Sequence, residues 1–318
     1  MIDTIKIKIE TDELPENYTD HLQSVLGGRQ IEMENGMTKY RGLLKNMQVT
    51  LDNWGLTIEG SLTKYAVGDN LKSAELLALV DAVYDIGGIL KVDLGGGEVK
   101  RLDIAGNIRT IHPVAEYYPF LVDLSKHVRN ELHNGLSFSN SLREVSFYGK
   151  IKEMKRKRDV ILDGAFKHEN ILRFECRTRS RGLRSFLKNS KPTVNDIISE
   201  YYAFVEMWQA TFNSITKKGV LYEPSSEIFT RKGAFDKFLM AKGVEALGGL
   251  EGVLKMIKFA KGRGEFKKYP NASTNLRARM KSLMETPHLV EKSDLIKELE
   301  DKVTMVARCA YFADYFDV

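Results

Sequence analysis

The sequence predicts an α+β protein, with an antiparallel-sheet domain over residues 1–192 followed by a smaller helical domain over residues 193–318. Three observations predict it. Several segments of the first part alternate apolar and polar residues with the period of two that a half-buried strand requires, most clearly Ile5, Ile7 and Ile9 against Lys6, Lys8 and Glu10. The last part instead repeats its apolar residues at the helical period of 3.6. The change falls near residues 190–195, at KNSKPT, with Thr193 as a helix N-cap candidate.

The elements follow in order. After the opening strand, TKYRGLL, MQVTLDN and GLTIEGSLTKY read as β-rich runs over residues 38–65, and Asp52-Asn53-Trp54-Gly55 reads as a hairpin turn between two of them. Leu76, Leu77, Val80, Val83 and Tyr84 recur at helical spacing behind Ser73, and Gly87-Gly88 is expected to end that helix. Gly95-Gly96-Gly97 fits neither a GxGxxG nor a GxxxxGK[ST] nucleotide loop and reads as a turn before the strand VKRLDIAGN. Residues 113–132 read as a helix with Phe120, Leu121, Leu124, Val128 and Leu132 on one face. Two strands are expected at 143–150 and 171–178, joined by the charged stretch KIKEMKRKRDV, a helix or loop. A helix over TVNDIISEYYAFVEMWQATFNSI, shorter helices separated by Gly219, Gly248-Gly249, Gly262/Gly264 and Pro270, and a final amphipathic helix complete the chain.

Composition removes several classes of protein. Apolar residues make up 43% and charged residues 29%, an ordinary globular balance. No apolar run approaches the roughly 18 residues of a transmembrane helix, and MIDTIKIKIE is a strand pattern rather than a signal-peptide core. Cys176 and Cys309 are the only cysteines, which excludes a disulfide framework and a cysteine zinc site; a reducing, cytoplasmic setting is the expectation. The net charge is only +5, but residues 148–188 carry +8 and residues 231–281 carry +9, so the remainder is acidic. Two basic blocks on an acidic remainder suit a polyanion binder, and also suit two solvated helical faces.

Candidate chemistry lies on three strands. Alternation places Arg101 and Asp103 on one face of the strand at 99–104, Ser146, Tyr148 and Lys150 on one face of 143–150, and Arg173, Glu175 and Arg177 on one face of 171–177. If these strands share a sheet, the polar face gathers Asp103, Glu175, Tyr148 and Lys150 with several arginines, and Glu153 reaches the same edge. Carboxylates without cysteine are hard oxygen ligands suited to Mg²⁺ or Mn²⁺, which would polarise a phosphoryl oxygen. A tyrosine phenol with a pKa near 10 needs activation to act as a nucleophile. Taken alone, a strand tyrosine is more often structural, and Arg–Glu alternation is more often a ladder of cross-strand ion pairs.

Together these segments resemble the replication initiators of filamentous phages, the gene II protein family. MID leads into a strand; GSLTKYAVGDNL precedes a helix; VKRLDIAGN, SFYGKIKE and LRFECRTRSRGLRSF follow in the family's order, covering roughly residues 1–190. The resemblance implies a nickase that starts rolling-circle replication of a phage or plasmid. A tyrosine attacks one strand at the origin, forms a 5′-phosphotyrosine link and frees a 3′-OH for the host polymerase, and the strand is later rejoined. By motif, Tyr148 would be the nucleophile and Lys150 its phosphate or phenolate partner. Asp103 and Glu175, with Glu153 as a further candidate, would hold Mg²⁺ or Mn²⁺, an inference from chemistry as much as from the family. None of the six histidines lies two residues from another, so the two-histidine metal motif of many rolling-circle endonucleases is absent.

The DNA contacts expected are Arg101, Arg173, Arg177, Arg179 and Arg181 around the site, and Lys267, Lys268, Arg277 and Arg279 in the second basic block, where residues 273–284 are the candidate groove-reading helix. The partners implied are origin DNA, single-stranded or supercoiled, with the host helicase and polymerase. Two other readings stay open: a non-enzymatic DNA-binding replication regulator, and a metal-dependent hydrolytic nuclease in which Tyr148 is structural. A covalent protein–DNA adduct separates them.

Overall fold

A computed structural model describes residues 1–32, 38–71, 73–157, 170–221, 226–286 and 289–312. The strands of its first part are β1 (Ile2–Ile9), β2 (Arg29–Glu32), β3 (Thr38–Leu44), β4 (Met47–Asp52), β5 (Gly55–Ser61), β6 (Glu98–Arg109), β7 (Leu121–Asp123), β8 (Val128–Leu132), β9 (Gly135–Ser139), β10 (Arg143–Gly149) and β11 (Ile171–Arg179). All but β7 join one antiparallel sheet in the order β2-β3-β4-β5-β1-β6-β11-β10-β9-β8. The α+β class is therefore as expected. The N-terminal strand sits at the centre because its isoleucines meet apolar partners on both sides: Ile7 opposite Ile58, Ile9 opposite Leu56, Ile5 opposite Leu102. The β4–β5 hairpin closes as expected, with Asp52 opposite Gly55 and the Asp52 carboxylate accepting from the Trp54 N–H at 3.0 Å. Gly55 has φ 116° there, and a Cβ would stand 2.1 Å from the Ile9 carbonyl, so only glycine fits.

The helices are α1 (Tyr18–Leu26), α2 (Leu62–Val67), α3 (Leu76–Leu90), α4 (Lys150–Lys157), α5 (Ser180–Leu187), α6 (Val194–Ser199), α7 (Tyr201–Asn213), α8 (Ser226–Thr230), α9 (Ala234–Ala246), α10 (Gly249–Gly262), α11 (Ala272–Met284) and α12 (Asp294–Phe312). Thr193 does cap α6: its hydroxyl accepts from the Asp196 N–H and the Asp196 carboxylate answers to the Thr193 N–H, a capping box.

Four local readings differ. Residues 113–132 form two short 3₁₀ turns, then β7 and β8, because Pro113 and Pro119 cannot continue a helix and Val128–Leu132 pair with β9 instead. The strand expected to run through SLTKY stops at Ser61, whose hydroxyl accepts from the Lys64 N–H and starts α2. Helix α3 runs through Gly87-Gly88 and ends at Lys91, which adopts φ 52°. The single helix expected after Thr193 is broken at Glu200 into α6 and α7.

One apolar cluster covers the sheet and takes in residues of α3, α6, α7 and α12, so the core runs past residue 192. Its centre is aromatic: Phe147 stacks on Phe174 at 4.7 Å, and Phe174 meets Trp208 at 4.5 Å and Phe212 at 5.7 Å. Trp208 donates to the Phe174 carbonyl at 3.1 Å. Gly106, opposite Phe174 in the ladder, leaves room for that indole; a Cβ there would lie 2.7 Å from it. A second cluster joins Phe238, Ala241, Val253, Leu254, Ile257 and Leu283 of α9–α11 with Val122 of β7. Among the described residues no helix is long and apolar enough to cross a membrane.

Candidate active site

Strands β6, β11 and β10 are neighbours, and their register puts the expected polar residues on one face. Asp103 lies opposite Arg177, Ser146 opposite Glu175, and Tyr148 opposite Arg173. The intervening residues Leu102, Ile104, Val145, Phe147, Leu172, Phe174 and Cys176 fill the core behind the sheet. The same alternation that builds the core thus assembles the polar face. Strand β10 passes directly into α4 at Gly149 and Lys150, which sets Tyr148 at the end of a strand and Lys150 at the start of a helix.

The face borders an open groove of about 760 Å³ whose walls include Arg101, Asp103, Tyr148, Lys150, Glu153, Glu175 and Arg177. The Tyr148 hydroxyl donates to Glu175 Oε2 at 3.0 Å. Burial and the adjoining Glu175 carboxylate push the phenol well above its ordinary pKa, against the pull of Arg173. The proton therefore stays on Tyr148 at neutral pH until something accepts it, and Glu175 is the group in hydrogen-bond contact. Glu175 Oε1 faces Arg177 Nη2 at 3.3 Å, so its two oxygens are turned to different partners.

Asp103 is 1% exposed and is held by both flanking arginines. Arg101 binds it through two nitrogens, with Nε at 2.9 Å, and Arg177 Nε stands 3.3 Å away. Burial, reinforced by Glu175, pushes its pKa up to about 6 despite those cations. Arg101 also reaches Glu59 at 3.1 Å, and Arg177 reaches Glu144 at 3.4 Å. The arginines are thus part of a charge lattice spread over β5, β6, β10 and β11.

Lys150 is 2% exposed and pairs with Glu153 at 2.8 Å. Burial and the nearby Arg173 lower its pKa, while Glu153 opposes them. Glu153 also pairs with Lys157, so it serves two lysines on its own helix. Among the described residues no three His, Cys, Asp or Glu side chains converge as a metal site. Asp103 and Glu175 are the neighbouring carboxylates that would hold a hard cation such as Mg²⁺, and it would have to displace the Arg101 and Arg177 nitrogens that face their oxygens.

Arg173 is buried behind the groove. Its guanidinium meets Asp3 Oδ2 at 2.5 Å, Asn107 Oδ1 at 3.0 Å and the Asn70 carbonyl at 3.2 Å. Its Nε has no hydrogen-bond acceptor among the described residues and stands 3.7 Å from Glu175 Oε2. Arg179 and Arg181 are exposed where β11 turns into α5, outside the groove wall. Lys267, Lys268 and Arg279 are exposed on the second cluster; Arg277 is turned toward Asp123 at 3.4 Å.

Asp3, Ser61 and Asn70 are site residues that sequence reasoning did not single out. The Ser61 hydroxyl donates to Asp3 at 2.6 Å and the Asn70 amide to the same oxygen at 3.3 Å. One signal was present: Asp3 falls in phase with Ile5, Ile7 and Ile9, an acid in an apolar register. A bulge between Ile2 and Ile5 accommodates it.

Residues 1–209 match the family model for the N-terminal part of the replication-associated gene II protein. The chain belongs to this family. It is a replication initiator of the filamentous-phage gene II type, and every groove residue named above falls within the matched span. No curated protein matches the initiator. The match extends into α7, whose Trp208 seals the sheet under Phe174, while α9–α11 of the initiator lie beyond it.

Proposed function

We propose that this initiator nicks and rejoins origin DNA through Tyr148, and the observation that carries the reading is the Tyr148–Glu175 hydrogen bond on the groove wall. The phenol oxygen attacks the scissile phosphorus as its proton passes to Glu175 Oε2. The bond to the 3′ oxygen breaks, that oxygen takes up a proton, and the DNA 5′ phosphate stays on Tyr148. Reversal by a 3′-OH rejoins the strand. A phenol held protonated by burial gains most from a base already in contact, since attack and proton transfer can then coincide. Lys150, Arg101 and Arg177 line the groove where they can offset phosphate charge. Arg173 supports the same face from beneath, and Arg179 and Arg181 extend the cationic surface past the end of β11.

Mg²⁺ or Mn²⁺ held by Asp103 and Glu175 would supply Lewis-acid stabilisation of the phosphate. Chelation by EDTA is expected to abolish cleavage, with recovery on adding either ion. Asp103→Asn should prevent that recovery, whereas Glu153→Gln should retain it, since Glu153 serves Lys150 and Lys157. Recovery of Asp103→Asn at ordinary metal concentration would remove Asp103 from the ligand set. The expected partners are origin DNA, then host helicase and polymerase at the 3′-OH, in the host cytoplasm.

The test is supercoiled DNA carrying the cognate origin, labelled in the scissile strand at the nucleotide whose 5′ phosphate Tyr148 would take. After denaturation the label should travel with the protein. Nicked circles free of protein would replace this reading with hydrolysis by water, and tight binding without cleavage would replace it with a regulator.

A further inference from the structure

Helix α10 turns Leu250, Val253, Leu254 and Ile257 into the second core. Its opposite face carries Met256 and Phe259, 53% and 68% exposed, where an amphipathic helix normally presents polar residues. The Arg263 guanidinium stands 5.8 Å from the Phe259 ring. The chain then turns through residues 263–271 into α11, and Tyr269, 66% exposed, sits at that corner with its carbonyl accepting from the Ala272 N–H at 3.0 Å. Lys258, Lys261, Lys267 and Lys268 are exposed along the same helix end and corner, and none has an ion pair among the described residues. A single exposed ring signifies little. Two exposed rings either side of the α10–α11 turn, one beside a guanidinium that also faces Glu265 at 3.6 Å, among these lysines, have the composition of a surface for unpaired bases.

We propose that the α10–α11 corner is a binding platform for single-stranded DNA, with bases stacking on Phe259 and Tyr269 and phosphates held by the surrounding lysines. Lysines alone would accept either form of DNA. The rings decide for the single strand, because a duplex keeps its base faces covered. The inference rests on DNA being the partner of this protein, and not on the chemistry of Tyr148.

The experiment uses the full chain carrying Tyr148→Phe, so that cleavage does not disturb binding. Fluorescence anisotropy compares an oligothymidylate of about 20 nucleotides with a duplex of equal length across a salt series. Phe259→Ala combined with Tyr269→Ala should weaken single-strand binding by about tenfold or more and leave duplex binding within about twofold. Replacing the four lysines with glutamine should weaken both and flatten both salt dependences. Equal losses on the two DNAs, or no loss on the single strand, would overturn the platform. An unaltered denaturation midpoint for the ring variant shows that these exposed substitutions leave the fold intact. A parent protein that binds neither DNA would instead overturn the premise of a DNA partner, and this is seen before any surface variant is made.

Discussion

Tyr148→Phe is expected to abolish both origin nicking and the covalent adduct, a loss of at least about 10⁴-fold, the scale on which a nucleophile acting together with a base is missed. The substitution removes one oxygen and leaves the ring in place. The hydroxyl's hydrogen bond is to Glu175, which keeps Arg177 as a partner, so the stability cost should stay near about 1 kcal/mol. The lost activity can therefore be separated from unfolding by a melting curve on the same sample. Glu175→Gln provides the complement. It keeps the shape of the side chain and removes both the proton acceptor and a proposed metal ligand, so the adduct should form slowly yet still on Tyr148. Nicking that persists at the wild-type rate in Tyr148→Phe would refute the nucleophile assignment.

Asp3→Ala is expected to be the most destabilising single change near the site. It removes the nearer carboxylate from the buried Arg173 guanidinium, leaving Glu175 at 3.7 Å, and breaking one side of such a pair costs about 3–5 kcal/mol. In a chain of 318 residues that corresponds to a melting temperature lower by about 4–8 °C. The denaturant midpoint should fall with little change in slope. An unfolding free energy within about 0.5 kcal/mol of wild type would show that the pair contributes nothing. The pH dependence has a definite sign. Burial opposes ionisation of Asp3, but Arg173 and the Ser61 hydroxyl outweigh it and hold the carboxyl at about 2, below its ordinary 3.8. The folded state thus binds this proton more weakly than the unfolded state. Its contribution is complete above pH 3.8 and is lost as the pH falls through about 2, by about 2 kcal/mol in all. Asp3→Asn should lack that acid-side step.

The polar face was legible in advance because strand alternation is strict: once Leu102, Phe147 and Phe174 face the core, Asp103, Tyr148, Glu175 and Arg177 must share the other side. Depth was not legible. Period two distinguishes one face from the other, but does not say that Arg173 is covered by Asp3 and Asn70 while Arg177 remains on the groove wall. Asp3 escaped attention because its partner is 170 residues away, and its place in the apolar register gives no sign of that partner. The helix expected over residues 113–132 rested on apolar spacing alone, and two prolines together with the pairing of β8 on β9 outweigh that spacing. The arginines of the site are read easily as DNA contacts, since only coordinates reveal how many of their nitrogens carboxylates already occupy.

The central position of β1 has a consequence for how the molecule comes into being. Strand β1 pairs with β5 and β6, and β6 pairs with β11, so the middle of the sheet joins segments that leave the ribosome at widely separated times. Such topologies acquire their order late, because long loops must close before any pairing rewards them. Tyr148 is synthesised before Glu175, and both precede the Trp208 that braces the strand carrying Glu175. A chain arrested between Tyr148 and α7 therefore holds the tyrosine without the brace on the strand beside it. The proposed strand scission would in this way wait until α7, which ends at Asn213 of 318 residues, has been made.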